Sequence, residues 1–497
     1  MYLSRTSRSY TIMTSLISSI FSSSSSQLAA RIETMKSAEA ALISFAHRFK
    51  DLNDDHKDTS TYRGSGIETE THVLELFDTK IPKSAVPLKE AGKKCQMLCN
   101  KNDDSQESHL VIHGIKVTSN IYKQNHAADD EDENESESES PLVILHGYMN
   151  GALYFYRNLL GLSNHSFAGQ VYALDMLGWG LSSRPVFETT STTTRNPTGD
   201  AKDSDDTGTY DAEQVYVESL EAWRKEHNIQ KMTLGGHSMG GYMATAYAEK
   251  YPENVDRLIL ISPAGVPDDK DIDVKGRMKD ASLQFRFMVG AASKLFNIGV
   301  TPAAFLRNLP ESRGRKMVSR YIEGRLPAIT CPDERKHLGE YLYTNAALPA
   351  SGEDVLNKIL KPTTFAHKPT LHRIPELKVK HVSFIYGQND WMDPQSGGIE
   401  TLKKCQEMKK AGRETPDIHV YGVRDAGHLL MLENWQEFNS AMILAAGRGK
   451  RLPPSAPMPF KVLEPSSGLF FSQPRWGKKK QEHLNEKDAN ENSAATA

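Results

Sequence analysis

The sequence predicts an α/β fold: a mostly parallel central sheet with helices on both faces and a helical cap insertion. Two observations support this prediction. From residue 142 onwards, short apolar runs alternate with stretches of helical periodicity, which is typical of parallel strands covered by helices on both sides. The alternation stops between Val266 and Lys378, where helix-like stretches and Pro-containing turns predict the cap, and it then resumes.

The individual elements follow from apolar runs and from helical spacing. The predicted strands are, in chain order, Thr71–Phe77, His109–Tyr122, Leu142–Leu145, Val171–Leu174, Lys231–Leu234, Arg257–Ile261, Val379–Tyr386 and Ile418–Val423. The predicted helices include Ser37–Lys50, Asp211–His227, Met243–Lys250, Ala281–Phe296 and Pro302–Leu309, and the last helix ends at Ala441–Ala446. Active sites of such sheets lie at the carboxyl ends of the strands, where four polar residues are expected: His146, Asp175, Ser238 and Ser262.

Length and composition exclude several classes of protein. The 497 residues suit one α/β domain of about 250–300 residues with insertions and tails. A net charge of -3 argues against a nucleic-acid binder. The four cysteines have no zinc-finger spacing, and no nucleotide-binding glycine motif or metal-ligand cluster occurs, so we expect neither a metal nor a cofactor. The sequence has no apolar run of about 18 residues, so no membrane-spanning helix is expected.

The N-terminal segment has a different composition. Its first 32 residues contain no Asp or Glu, and their arginines lie among serines: Arg5, Arg8 and Arg31. This is typical of a mitochondrial or plastid transit peptide. We therefore expect residues 1–36 to be a transit peptide of a mitochondrial protein that is peripheral to a membrane. The alternative is a disordered tail on a protein of the cytosol or of lipid droplets.

The rest of the chain divides by composition and periodicity. The acidic run Asp129–Glu139 and the stretch Thr189–Gly208 are predicted to be solvated insertions without a role in chemistry. The predicted boundaries are a polar N-terminal extension at 37–108, a first core part at 109–267, the cap at 268–378, a second core part at 379–446 and a disordered tail at 447–497.

The candidate nucleophile is Ser238, in the pattern Gly-His-Ser-Met-Gly between a strand and a helix. Strand and helix backbones pass close together at such a turn, and Gly236 and Gly240 provide the small neighbours that this requires. A serine needs a base and a carboxylate that orients the base, and in this type of fold they follow in the order serine, acid, histidine. The sequence offers them in that order as Asp390 and His428.

Neighbouring residues compete for these roles. Asp393 is an alternative acid, but Asp390 directly follows the turn at the end of a strand. His381 and His367 are alternative bases, but only His428 lies in a Gly-His loop after the final strand. The backbone N–H groups of Met239 and Tyr148 are the predicted oxyanion hole. We expect His146 to be structural and Asp175 to hold its adjacent loop.

The cap is basic. Residues 270–380 carry twenty Lys and Arg against eleven Asp and Glu, with the densest cluster at Arg307, Arg313, Arg315, Lys316, Arg320 and Arg325. Each cation near an anionic membrane is worth about 1 kcal/mol. The cluster therefore predicts contact with a phospholipid substrate or a membrane surface through Arg313, Arg315, Lys316 and Arg320. An ordinary solvated helix face is the alternative.

The motifs together resemble one family. The segments His146-Gly147, Asp175–Pro185, Gly236–Gly241, Gly387–Asp393 and Gly427-His428 resemble the α/β-hydrolase domain-containing protein 4 and 5 subfamily, and within it the fungal branch that includes a mitochondrial cardiolipin-specific deacylase. The resemblance covers roughly residues 142–446. It implies an α/β-hydrolase fold and an enzyme that cleaves acyl esters of phospholipids or lysophospholipids, cardiolipin among them.

The resemblance leaves two alternatives open. The family carries a His-x4-Asp signature associated with lysophosphatidic acid acyltransferase activity, and here the pattern runs from His428 to Glu433, with Glu for Asp. Some members that lack the nucleophile act as lipase co-activators, and the presence of Ser238 favours a hydrolase. The sequence therefore predicts a serine hydrolase, with acyl transfer from acyl-CoA, or a lipid-binding co-activator, as the alternatives.

Overall fold

A computed structural model describes residues 25–49, 66–68, 71–88, 95–96, 109–125, 139–186, 209–271, 290, 301–361 and 364–461. Most of the predicted leader, the insertion Thr189–Gly208, nearly all of the helix expected at Ala281–Phe296 and residues 462–497 lie outside the described residues. No helix in the described part of the chain is both long and apolar enough to cross a membrane.

The described residues form a ten-stranded sheet in the order β1-β2-β4-β6-β5-β8-β9-β10-β11-β12. A separate pair joins β3 and β7. The strands are β1 (Gly66–Glu68), β2 (His72–Pro82), β3 (Cys95–Gln96), β4 (His109–Ser119), β5 (Leu142–Leu145), β6 (Gln170–Leu174), β7 (Arg184–Pro185), β8 (Met232–His237), β9 (Val255–Ile261), β10 (His381–Gly387), β11 (Asp417–Val423) and β12 (Phe460–Lys461).

Six neighbouring strands of the sheet are parallel to one another, in the order β6-β5-β8-β9-β10-β11, and the strand pairs on either side of them are antiparallel. Every residue of β5 and β8 is buried, because helices cover both faces of the sheet. This is the fold class that the apolar runs predicted, and it is confirmed.

The α-helices lie mainly between the parallel strands and in the segment between β9 and β10. They are α1 (Ser25–Ala46), α2 (Asn120–Asn125), α3 (Leu159–His165), α4 (Thr209–Glu226), α5 (Met239–Lys250), α6 (Pro302–Arg307), α7 (Glu311–Arg325), α8 (Pro332–Ala347), α9 (Leu356–Ile359), α10 (Glu400–Lys410), α11 (Leu430–Glu433) and α12 (Trp435–Ala445). Helices α6 to α9 belong to the predicted cap.

The predicted N-terminal boundaries do not match folded units. Helix α1 crosses the boundary at residue 36, and on it Met35 and Leu42 are fully buried. Arg31 donates a 2.6 Å hydrogen bond to the carbonyl of Ala347, at the end of α8. The predicted polar extension at 37–108 also supplies β2, which pairs with β4 along its whole length. The apolar patterns in this region predicted only parts of these elements, the helix Ser37–Lys50 and the strand Thr71–Phe77, and so they did not indicate these contacts.

The prediction of a disordered tail from residue 447 is wrong for residues 447–461. Strand β12 pairs with β11, and the ring of Phe460 lies over Gly422, where a β-carbon would meet it at 2.2 Å. Arg451 donates a 2.6 Å hydrogen bond to Glu139 of the acidic run. The segment is polar, but these few contacts attach it to the sheet edge.

A buried charge cluster attaches α1 to the sheet. His113 on β4 lies between two carboxylates, 3.3 Å from Glu39 of α1 and 2.6 Å from Asp78 of β2. Burial disfavours the charged imidazole, but these carboxylates outweigh it and raise the pKa of His113 well above its ordinary value of 6.5. Because Glu39 is fully buried, the ion pair is a strong constraint on the position of α1.

Replacing Glu39 with Gln should destabilise the protein, by at most about 3–5 kcal/mol, since the buried charge of His113 then keeps Asp78 but loses Glu39 as a partner. A raised pKa of His113 in the folded state contributes stability below pH 6.5, and this is lost as the pH rises through the folded value. The difference in Tm between wild type and Glu39→Gln should therefore be larger at pH 6 than at pH 9.

The matched control is Glu33→Gln on the same helix. Glu33 is solvent-exposed, and among the residues that the structure describes it pairs only with the exposed Lys36, so its replacement should change Tm little at either pH. A Glu39→Gln variant with an unchanged Tm at pH 6 would contradict the role assigned to the pair.

Candidate active site

Ser238 lies at the turn between β8 and α5, where the two backbones are in contact. A β-carbon on Gly236 would meet the carbonyl oxygen of Gly240 at 2.3 Å. A β-carbon on Gly240 would meet the carbonyl oxygens of Leu145 and His146 at 2.6 Å each. Only glycine fits at either position, which is the spacing that the sequence pattern predicted.

The backbone of Ser238 is held in a conformation that side chains rarely adopt. Its φ is 54° and its ψ is -117°. The surrounding strands maintain it: the N–H of Ser238 donates to Ile261 (2.9 Å), and its carbonyl accepts from Ala264 (3.1 Å). This is the strained strand-to-helix turn that presents a nucleophile above an α/β sheet.

His428 and Asp390 are in contact. Nδ1 of His428 lies 3.1 Å from Oδ1 of Asp390, and both side chains are largely buried. A bond from Nδ1–H to the carboxylate fixes the tautomer and leaves Nε2 as a base. Within the described residues the hydroxyl of Ser238 makes no hydrogen bond, but Ser238 and His428 line the same cavity. Such catalytic contacts are often long in the absence of substrate.

The competing residues lie elsewhere. Asp393 accepts hydrogen bonds from the N–H of Gln395 (3.0 Å) and the hydroxyl of Ser396 (2.9 Å), and so caps the segment that follows it. His381 begins β10, whereas His428 follows the end of the neighbouring strand β11. The structure therefore brings Asp390 rather than Asp393 to the candidate base.

The predicted oxyanion residues border the same cavity. Met239 is the first residue of α5, where backbone N–H groups have no partner within the helix. Tyr148 lies in the loop after β5, and a β-carbon on the preceding Gly147 would come within 3.1 Å of the β-carbon of Ser238. The loop thus passes directly beside the candidate nucleophile.

Two polar residues at strand ends are structural, as the sequence predicted. His146 lies between the carbonyl of Gly147 (2.7 Å) and the N–H of Met176 (3.1 Å), and burial lowers its pKa to about 4, so the ring is neutral. The carboxylate of Asp175 accepts the N–H groups of Ala152 (2.7 Å) and Leu181 (2.8 Å), and so ties two loops together.

A cavity of about 490 Å³ lies above Ser238, which is within the size range of small-molecule sites. Its floor consists of the loops that carry the candidate triad. Its walls are mostly apolar side chains of the cap: Pro302, Leu306, Met317, Val318, Leu342, Leu356 and Leu360. The cation that lines it, Lys361, is paired with Asp269 at 2.7 Å. The cavity is thus suited to an apolar group such as an acyl chain.

The predicted basic residues of the cap divide into two groups. Arg315 is held by Glu311, Glu340 and the ring of Tyr343. Arg307 is paired with Glu353 and largely buried. Of the remaining four, Arg325 is half-buried and interacts with Tyr321. The other three are exposed and make no ion pair within the described residues: Arg313, Lys316 and Arg320.

Sequence reasoning missed how the His428 loop is held. The carboxylate of Glu433 accepts the N–H of Gly427 at 2.7 Å and the N–H of Leu429 at 3.1 Å. His237 lies with Nε2 2.9 Å from the carbonyl oxygen of His428. Burial, together with the neighbouring His428, lowers the pKa of His237 well below 6.5, so its neutral ring donates this bond. The position of His237 beside Ser238 in the motif was the available signal.

Comparison with known proteins identifies the family to which this chain belongs. Residues 140–434 match the family described as alpha/beta hydrolase fold. The 1-acylglycerol-3-phosphate O-acyltransferase of Arabidopsis thaliana is 33% identical over 309 residues, which cover 61% of this chain and 66% of the plant protein. The 1-acylglycerol-3-phosphate O-acyltransferase ABHD5 of Mus musculus is 30% identical, over 71% of this chain and 87% of the mouse protein. Protein ECM18 of Saccharomyces cerevisiae is 26% identical, over 67% and 76% respectively.

The turn at Ser238 gives a matched pair of substitutions. Gly240→Ala should abolish activity and lower Tm, because its β-carbon would press on two carbonyl oxygens. Gly235→Ala, five residues earlier in β8, should be tolerated, since its β-carbon would have only ordinary contacts at 3.6 Å or more. Ester hydrolysis and thermal unfolding of both variants test this, and equal losses in the two would contradict it.

Proposed function

We propose that this chain, which belongs to the alpha/beta hydrolase fold family and within it to the α/β-hydrolase domain-containing protein 4 and 5 subfamily, is a serine-dependent enzyme that transfers phospholipid acyl groups. The observation that carries the proposal is the Asp390–His428 pair beside Ser238 at the floor of an apolar cavity. Such a constellation suits acyl transfer through an ester on serine.

The reaction begins when Oγ of Ser238 attacks the carbonyl carbon of an acyl ester and Nε2 of His428 takes the hydroxyl proton. The N–H groups of Met239 and Tyr148 stabilise the oxyanion of the tetrahedral intermediate, an effect worth about 2.7–4 kcal/mol for each donor. The bond to the leaving oxygen then breaks, and His428 returns the proton to that oxygen. The acyl group remains on Ser238.

The second half of the reaction depends on the acceptor. With water, His428 takes a proton from the attacking water, the acyl-serine bond breaks, and His428 returns the proton to Oγ of Ser238 as a fatty acid leaves. The enzyme is then a phospholipase or lysophospholipase. With the hydroxyl of a lysophospholipid, the same steps form a new ester. The plant and mouse relatives are named 1-acylglycerol-3-phosphate O-acyltransferases, which supports this acceptor. Acyl-CoA would then be the acyl donor, so that in the first half of the reaction its C–S bond breaks and His428 returns the proton to the sulfur of the leaving CoA. A co-activator that binds lipid without turnover is the remaining alternative.

The lining of the cavity and the charges around it favour one class of lipid. The cavity is lined by apolar side chains and can bury an acyl chain, each methylene of which contributes about 0.8 kcal/mol. The exposed cations beside it favour an anionic lipid. Cardiolipin is one such lipid, and the resemblance to the fungal branch of the subfamily makes it the first to test.

Ser238→Ala should lower the release of fatty acid from cardiolipin and other phospholipids at least about 10³-fold, because the nucleophile is lost. The measurement is a profile of lipid products by mass spectrometry for both proteins side by side. Ser262→Ala is the control, since Ser262 follows the neighbouring strand β9 but does not line the cavity. Unchanged turnover by Ser238→Ala would contradict a serine enzyme and favour the co-activator.

We also propose that the cap approaches an anionic membrane with the cavity mouth facing it. Four large apolar side chains are 41–54% exposed on the cap and beside His428: Phe305, Met317, Tyr321 and Trp391. The last three line the cavity. The exposed cations of α7, which are Arg313, Lys316 and Arg320, share the helix of Met317 and Tyr321. Apolar side chains next to cations are typical of segments that bind membrane interfaces.

Changing Arg313, Lys316 and Arg320 together to Gln should weaken binding to anionic vesicles about 10²-fold, from about 1 kcal/mol for each cation. Sedimentation with phosphatidylcholine vesicles, with and without cardiolipin, measures this. Binding to the neutral vesicles should not change. The control replaces three lysines of α10, a helix away from the cavity lining: Lys403, Lys404 and Lys410. Equal weakening by both triple variants would contradict a specific docking face.

A further inference from the structure

Glu433, the acidic residue of the His-x4-Glu pattern, lies outside the lining of the cavity that would hold the substrate. Glu433 does not line the cavity, whereas His428 and Leu429 do. Its two carboxylate oxygens are each used by a backbone N–H group, of Gly427 and of Leu429. A carboxylate so engaged cannot serve as an acid or base for an acyl acceptor that lies in the cavity.

The contacts of Glu433 surround His428 instead. The two N–H groups belong to the residues immediately before and after His428, so one carboxylate fixes the backbone on both sides of it. On the opposite side, the ring of His237 binds the carbonyl of His428 itself. Hydrogen bonds to an ionised acceptor are roughly twice as strong as neutral ones. The loop is therefore held at three consecutive residues.

The base of the loop is also fixed. Glu433 ends the short helix α11, whose carbonyl groups are bound from the core by Arg157 (to Leu432, 3.0 Å) and Asn158 (to Met431, 3.1 Å). The carboxylate thus extends from an anchored element to the His428 loop.

We infer that Glu433 is a positioning residue for His428, and that hydrolysis and acyl transfer are a single chemistry on Ser238. The inference rests on the proposed function and deepens it. The acyl-serine ester is common to both reactions, and water and a lysophospholipid hydroxyl compete for it. The His-x4-Glu pattern then serves the triad and does not form a separate acyl-transfer centre.

The experiment compares Glu433→Gln with wild type in both reactions. Gln accepts from one N–H group but presents its own N–H₂ to the other, so His428 loses its alignment, and a misplacement of about 1 Å costs about 100-fold in rate. We expect kcat to fall about 10- to 100-fold for cardiolipin hydrolysis and for acyl-CoA transfer to lysophosphatidic acid alike. KM and the ratio of the two products should not change, because Glu433 does not line the cavity.

Two further variants separate positioning from folding. Glu433→Asp keeps the charge but reaches less far, so its kcat should lie between those of wild type and Glu433→Gln. Glu221→Gln changes a buried carboxylate on α4, remote from the cavity; it should lower Tm and leave kcat unchanged per active site. Labelling of Ser238 with a fluorophosphonate probe counts the active sites, and its rate constant should fall in step with kcat.

Two results would overturn the inference. If Glu433→Gln loses acyl transfer while hydrolysis is unchanged, a second centre exists. If it lowers Tm while kcat per labelled site is unchanged, Glu433 is only structural. Failure of the proposed function itself looks different: Ser238→Ala would then remain active in either reaction, whatever the result at Glu433.

Discussion

The site depends on close backbone contact at the turn between β8 and α5. Because Gly236 and Gly240 have no side chains, the two backbones can come into contact and the chain can turn sharply. The turn holds Ser238 at a positive φ, at a cost of order 1–3 kcal/mol. Two backbone hydrogen bonds offset that cost: the N–H of Ser238 donates to Ile261, and the carbonyl of Ser238 accepts from Ala264. The candidate nucleophile is therefore fixed by backbone geometry, and the other candidate catalytic groups are brought to it.

Asp390 and His428 lie on loops at the carboxyl ends of the parallel strands. Asp390 and His428 follow the ends of two neighbouring parallel strands, β10 and β11, so the register of the strands brings their side chains together. Buried hydrogen bonds then fix each loop. Asp175 binds the loop that follows β5 and carries Tyr148, and Glu433 and His237 bind the loop that carries His428. Rigid strands and satisfied loop amides together give the preorganisation that the proposed acyl transfer needs.

The strands and the candidate triad could be predicted from the sequence because their signals are local. Apolar runs mark β5 and β8, and Ser238 carries its own motif. Contacts between distant residues that carry no such motif could not be predicted. Glu39 and His113 are 74 positions apart, and nothing in the helical spacing of α1 indicates a buried ion pair. The pairing of Arg315 is likewise invisible in a cluster of like charges, since its partner Glu340 lies on another helix.

Helix α1 limits where the predicted leader could be cleaved. Arg31 is bonded to the cap, and Met35 is fully buried. A peptidase cut at residue 36 would divide this helix, remove its first half and leave an unfilled groove on the cap. A cut that preserves the fold has to fall before the helix begins, at Ser25 or earlier. A shortened recombinant protein should therefore retain the whole helix, including Arg31 and the other helical residues of the predicted leader.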